Sequence, residues 1–397
     1  MCDIKPQKMC FSLSSRKVFI LYVVLVLFFY RIVVIWFILR VFNIFMSNII
    51  VKKVKNSDQT RWDLYVAQHP EASPYHFYAW CKAIEKSYLH ENCSLIAEKN
   101  GKIVGIFPLI RICLPFIFNK IVALPYCDVG NCLSDDFTIE EKLISAAIEF
   151  SKLKEIDVLD IRGKLQSETR LSHKKLKNIT TGKVRMFLEL PDSSDELMKS
   201  FKSKLRSQIK KAEKNGLKFR WGYLSDLEAI YAVISENMLC LGSPVHSINF
   251  FKEIIIQYGS KCHIGLVEYR GTIVGVGIIL TVSGKVSIPW ASTLRQYNHL
   301  ATNMLLYWNL LKYASDNNMK IFDFGRSSEG EGTYRFKKQW GVKPIPLDWY
   351  EVDIKKKRDR NDTGNIPLRN IAAVIWQKLP PSISSLIGPA IRKYISL

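Results

Sequence analysis

Apolar and polar positions along this 397-residue chain fall into a pattern that occurs twice. The stretches "EKNGKIVGIFPLI" (Glu98–Ile110) and "EYRGTIVGVGIIL" (Glu268–Leu280) align without gaps. Glu98/Glu268, Gly101/Gly271, Ile103/Ile273, Val104/Val274 and Gly105/Gly275 pair at a constant offset of 170. Each reads as a strand, a tight turn at glycine, and a long apolar strand with a glycine inside it. A glycine within a strand marks a bulge or a close approach of backbone or ligand.

The agreement continues downstream. "KIVALPYCDVG" (Lys120–Gly130) parallels "KVSIPWASTL" (Lys285–Leu294), and helical stretches follow at Ile139–Leu153 and Ala301–Asn317. Each copy then ends in a buried-strand pattern carrying an acid, "IDVLDIRG" (Ile156–Gly163) and "MKIFDFGR" (Met319–Arg326). Four elements in one order predict two tandem copies of an α+β unit, with the boundary near Lys183–Glu196. The second copy opens on a helix from a capping box at Ser193 and Glu196 to Asn215-Gly216. Its apolar stripe is Leu197, Phe201, Leu205, Ile209 and Ala212. The other face carries Lys199, Lys202, Lys204, Arg206, Lys210, Lys211, Lys214 and Lys218 against a single Glu213. That face reads either as solvated or as a dock for RNA or phosphate.

The ends are patterned differently. Val18–Tyr30 is apolar, Arg31 follows, and Ile32–Leu39 is apolar again, a length that spans a bilayer. Residues 1–45 are therefore expected to be a membrane anchor, or an extension upstream of a natural start at Met46. No small-residue cleavage site follows, which argues against a removed signal peptide. Beyond the basic linker Ile354–Asp362, residues 366–397 alternate apolar and basic positions. They predict two short amphipathic helices broken at Pro380-Pro381 and Gly388-Pro389. These lie either on the second domain or, as an interfacial pair, on an anionic membrane. The resulting division is 1–45, a first domain over 46–185, a second over 186–352, and a tail over 353–397.

Charge and composition narrow the classes. A net charge of +21 points to anionic partners, and 48% hydrophobic with 12% aromatic content excludes a disordered chain. The two ends hold +5 and +6, so the middle keeps +10. Nine scattered Cys without paired ligand spacing imply a reducing compartment, no disulfide framework and no structural zinc.

The segment with the most chemistry is "DFGRSSEGEGTYRFKKQWG" (Asp323–Gly341). Its glycines Gly325, Gly330 and Gly332 let backbone approach a ligand. Arg326 is suited to bidentate phosphate binding. Ser327, Thr333 and Tyr334 offer hydroxyls, and Phe336, Trp340 and Trp290 offer aromatic surface. No Ser-His-Asp or Cys-His set is arranged for a covalent intermediate.

Over about Met46–Val352 the chain resembles the Fem family of nonribosomal aminoacyl transferases. It looks most like the FemAB-related proteins found with bacterial exopolysaccharide and exosortase systems. The residues carrying the likeness are "RWDLYVAQHPEASPYHFYAW" (Arg61–Trp80), "GIFPLI", "ALPYCDVG", "LGSPVHSINFF" (Leu241–Phe251), "IPWAST" and "FDFGRSSEGEGTYRFKKQWG". The resemblance implies two GNAT-like acyltransferase domains and no bound cofactor or metal. It also implies oxyanion donors on the backbone of Pro289-Trp290-Ala291-Ser292. Phe336-Lys337 resembles the family's Phe-Lys step, which casts Lys337 as electrostatic stabiliser, Arg326 as phosphate clamp and Asp323 as candidate base. Asp323 has a structural alternative, capping the loop or pairing with Arg326; Trp290 has one in core packing.

The expected donor is aminoacyl-tRNA or acyl-CoA. The pyrophosphate loop R/Q-x-x-G-x-G/A of acyl-CoA enzymes has no glycine-rich counterpart in "TLRQYNHLATNML" or "GNCLSDDFTIEEK", which favours a bulkier donor. The expected acceptor is an amine on an anionic, phosphorylated envelope precursor, met at the cytoplasmic side of a bacterial inner membrane. Two rivals remain at this point: acyl-CoA-dependent N-acetylation of a sugar amine, and a non-catalytic binding protein on the same fold.

Overall fold

The structure is a computed structural model describing residues 26–36, 49–166, 176–355 and 366–396. Residues 26–36 are helical and, with Ile49–Ile50 and Glu98–Gly101, group as a unit of their own. The expected anchor over 18–39 lies largely outside the described residues. Among the described residues no helix is long and apolar enough to cross a membrane.

The first repeat begins with β1 (Ile49–Lys53), α1 (Gln59–Gln68), α2 (Tyr78–Tyr88) and β2 (Glu91–Asn92). β3 (Leu95–Lys99) and β4 (Lys102–Phe107) are joined by Asn100-Gly101, at φ 52° and 76°. Two successive positive φ values suit a tight hairpin because they match the strand twist. Pro108 has no N–H for a ladder, so the strand ends and β5 (Ile110–Leu114) starts afresh. β5 pairs with β6 (Phe118–Val122), whereas β4 pairs with the short β7 (Leu133–Ser134). Asp136 caps α3 (Phe137–Leu153) by accepting the N–H groups of Thr138 and Ile139. The helix returns the chain to β8 (Val158–Arg162), parallel to β6.

After β9 (Leu176–Glu189), α4 (Ser194–Ser200) and α5 (Ser203–Lys214), the second repeat follows the same route. Its elements are β10 (Leu217–Gly222), α6 (Leu227–Cys240), α7 (Ile248–Tyr258), β11 (Cys262–Tyr269), β12 (Thr272–Val282), β13 (Lys285–Thr293), α8 (Thr302–Asp316) and β14 (Ile321–Ser328). Arg270-Gly271 turns at φ 50° and 80°, nearly the angles of its counterpart. β13 and β14 are parallel, as β6 and β8 are. Ile278 stands where the first copy has Pro108, and β12 accordingly runs unbroken. The repeat read at an offset of 170 is present in the backbone.

After β14 come α9 (Gly332–Lys338) and β15 (Lys343–Asp353). Among the described residues eleven strands form one sheet in the order β10-β11-β12-β13-β14-β9-β15-β8-β6-β5-β2. Its centre is an exchange: β9 pairs with β14, and β15 lies between β9 and β8. Helix α7 also crosses over, since Phe250, Ile254 and Tyr258 join the core built on Trp62, Trp80 and Val122. Tyr258 donates to the Pro74 carbonyl at 2.8 Å.

Two expectations need correction. The single helix predicted from Ser193 to Asn215 is two, α4 and α5, because Phe201 is extended (φ −74°, ψ 147°). That backbone sets its ring edge-on to Trp308 and Trp340, 6.1 and 5.5 Å away, and the whole predicted stripe is still buried. In the tail, α10 (Ile366–Gln377) and α11 (Pro381–Arg392) break at Pro380-Pro381, but Pro389 lies inside α11. Both helices pack on the Gly242–Val245 stretch: a Cβ at Gly242 would sit 2.7 Å from the Ala373 carbonyl, and one at Gly388 3.3 Å from the Val245 nitrogen.

Gly130→Ala is expected to cost about 3 kcal/mol or more, since its Cβ would meet the Ala123 carbonyl oxygen at 2.0 Å. Gly271→Ala meets no atom within 4 Å, and its positive φ alone costs about 1 kcal/mol. Urea unfolding of the two variants would read the difference, and equal midpoints would refute the assigned contact.

Candidate active site

The site is organised by the parting of two strands. β14 runs beside β13 only over Lys285–Ser287 against Ile321–Asp323, after which β13 continues to Thr293 along β12. Pro289-Trp290-Ala291-Ser292 is the part of β13 beyond that separation. On the other flank, the β14–β9 ladder jumps from Asp323↔Phe187 to Arg326↔Arg185. Gly325 occupies this bulge at φ 69°, where a side chain would be strained.

Asp323 is 3% exposed and holds the bulge. Its Oδ2 accepts from Arg185 Nε (2.9 Å), Arg185 Nη2 (2.6 Å) and Ser287 Oγ (3.1 Å), and its Oδ1 accepts from the Gly325 N–H (2.8 Å). The acid expected as a base is thus fully engaged. It caps the loop and pairs with Arg185, where the sequence suggested Arg326. These bonds give it a structural post rather than a free lone pair for proton abstraction.

Arg326 pairs instead with Asp128 of the first repeat. Asp128 Oδ2 accepts the Arg326 N–H at 3.1 Å, and its Oδ1 lies 3.4 Å from Nη1. The Arg326 side chain remains one-third exposed. Lys337 reaches back from α9 to donate to the Arg326 carbonyl at 2.8 Å. Burial pushes its ammonium down to about 8, against the pull of the Asp323 and Asp128 carboxylates, while the Arg326 charge adds to the fall.

The remaining expected residues divide between site and core. Ser327 is buried and donates to the Arg326 carbonyl, and Thr333 is exposed on α9. Tyr334 and Trp340 belong to the hydrophobic core, Trp340 being 1% exposed, and the half-buried Phe336 packs against it, meeting Tyr307 at 5.1 Å. As ligand-facing aromatics these three are corrected, because the turn of α9 that exposes Thr333 points them inward. Trp290 is half-buried, stacked on Trp80 at 5.8 Å and 13°. Lys338 is exposed over Tyr334.

The residues missed from sequence come from far along the chain. Asp128 sat inside a quoted matching stretch without a role, and nothing local marked Arg185. The C-terminal segment supplies more. Ser396 accepts from the Tyr126 N–H (2.8 Å) and Arg162 Nη1 (2.9 Å), and Arg392 lies 5.8 Å from the Tyr126 ring centroid. Burial pushes the Arg392 guanidinium down to about 10; the nearby Tyr126 and Tyr88 raise it, and the Arg326 and Arg162 charges lower it further. His246 shares a 2.8 Å hydrogen bond with Tyr88 through Nδ1, and its burial holds it neutral.

Residues 199–338 match the family described as Acetyltransferase (GNAT) domain. The second repeat is therefore an acyltransferase domain of the GNAT type. No curated protein matches the chain by sequence. Among solved structures it is similar to FemX, at 13% identity and a TM-score of 0.63, over 81% of this chain and 100% of that one. It is also similar to the C-terminal DUF2156 domain of a protein assigned as a lysylphosphatidylglycerol synthetase from Agrobacterium fabrum. That match has 10% identity and a TM-score of 0.55, covering 81% and 97% of the two chains. A conserved protein of unknown function from Bacteroides thetaiotaomicron follows at 9%, TM-score 0.52, with coverage of 76% and 98%. At these identities the likeness is one of fold.

Asp323→Asn would leave the Arg185 guanidinium buried without its counter-charge, and is expected to lower stability by about 3–5 kcal/mol. Denaturant titration checks this. A loss below about 1 kcal/mol would mean that the pair does not hold the bulge.

Proposed function

We propose that this chain is a Fem-type N-acyltransferase, moving an aminoacyl or acyl group to an amine on a phosphorylated peptidoglycan- or exopolysaccharide-related precursor at the cytoplasmic face of a bacterial membrane. The observation that carries the reading is the Lys337 ammonium held between the Asp128–Arg326 pair and the parting strands of a GNAT-type domain. Attack of an amine on a carbonyl builds negative charge on oxygen, and a desolvated cation near that oxygen lowers the barrier. With its ammonium near 8, Lys337 is charged at neutral pH and suits that task. Arg326 spends one edge on Asp128 and keeps exposed surface for a phosphate. Direct transfer in a ternary complex needs no covalent intermediate, in keeping with the engaged state of Asp323.

The donor favoured is aminoacyl-tRNA. Lys202, Lys204, Lys210, Lys211, Lys214 and Lys218 are exposed along α5 and into β10, and none joins an ion pair among the described residues. A row of unneutralised lysines attracts a polyanion by counterion release. The chain entering α8 forms a 3-10 turn over Arg295–Leu300 without a glycine, unlike a pyrophosphate loop. Acyl-CoA is the second reading, favoured by the match of residues 199–338 to an acetyltransferase domain.

Lys337→Ala and Arg326→Ala are each expected to lower transfer from charged tRNA by about a hundredfold or more, with the thermal transition little changed. Wild-type rates in both variants would remove the site. Stabilisation by CoA but not by tRNA would select the acetyltransferase reading instead.

The role assigned to Lys337 also has a sign in pH. Its cation is lost as pH rises through about 8, so the rate is expected to fall there. In Lys337→Arg the charge persists, and the falling limb should move to higher pH. An unchanged limb would mean that another group sets it.

A further inference from the structure

The tail helices turn the wrong way for a globular surface. α11 exposes Ile383, Leu386, Ile387 and Ile391, a stripe at helical spacing, with Leu386 79% accessible. Its inward face is Ser384 and Gly388. α10 likewise exposes Ile371, Val374 and Ile375, the last 60% accessible, and sets Ala373 against Gly242. Both helices dock small residues on the same Gly242–Val245 stretch, and each turns an apolar face away from it. Exposed apolar faces of this kind mark an interaction surface.

We propose that the outer face of α10 and α11 lies on the surface of an anionic lipid bilayer. The charge around it selects that occupant. Residues 366–396 contain Arg369, Lys378, Arg392 and Lys393 and no Asp or Glu. Lys378 is exposed at the bend between the helices. An apolar stripe with an exposed cation at its bend and no acid in either helix is complementary to acyl chains under acidic headgroups. A second copy fits worse, because a two-fold pairing of this face would set the same cations against each other. With Ile383, Leu386, Ile387 and Ile391 on the outer face and Ser384, Gly388 and Arg392 beneath, the isoleucines and leucine of α11 gain apolar burial from what they meet outside.

Hydrogen exchange of the full-length protein, followed by mass spectrometry with and without vesicles, tests this separately from any transferase activity. Peptides from 366–396 are expected to exchange more slowly on phosphatidylglycerol-containing vesicles than in buffer, and less so on phosphatidylcholine alone. In Ile375→Asp/Leu386→Asp that protection should fall by about tenfold or more, with the thermal transition unchanged because both side chains are exposed. Failure of either lipid to protect these peptides would overturn the proposal. So would protection that is already complete without lipid, which would assign the face to a second copy or to another segment of this chain.

Discussion

The buried ion pair between Asp323 and Arg185 is the constraint on which the rest of the site depends. A guanidinium at this depth is costly unless a carboxylate meets it, and the two arrive from β14 and β9, 138 residues apart. Meeting them requires a bulge in the β14–β9 ladder, which Gly325 accommodates at positive φ. The same carboxylate binds the Gly325 N–H and the Ser287 hydroxyl, the last residue of β13 that still pairs with β14. One acid therefore neutralises a charge, shapes a bulge and fixes where the central strands part.

From that point the chemistry follows in short steps. The bulge turns the Arg326 backbone outward, so its N–H meets Asp128 and its carbonyl meets the Lys337 ammonium. Lys337 sits on α9, anchored by Tyr334, Phe336 and Trp340 packed into the core. The aromatics that looked like ligand surface in the sequence hold the helix that aims the lysine. Their part is positional, made through apolar burial worth about 1.5–3 kcal/mol for each side chain.

The exchange of β9 and β15 explains why the site draws on both repeats. β15 joins the β8 edge of the first repeat to β9, and Asp128 comes from the loop after β6. The tail closes the same region, with Ser396 bonded to Tyr126 and Arg162. A chain of contacts thus runs from α11 through Arg162 and Trp349 to the Asp128 carbonyl, and so to Arg326. The surroundings of Arg326 therefore draw on the second repeat, the first repeat and the tail.

Local pattern alone determined the two hairpins, whose Asn-Gly and Arg-Gly turns impose their own backbone, and the order of elements in both repeats. Periodicity placed Leu205, Ile209 and Ala212 in the core because a helix repeats its face whatever it packs on. Only the tertiary structure decided the partner of Asp323, the role of Asp128, the break at Phe201 and the outward face of the tail. Each depends on atoms brought together from distant segments: Asp128 meets Arg326 across 198 residues. The choice among buried charge partners is made by desolvation in the folded interior, and no local run of sequence carries that information.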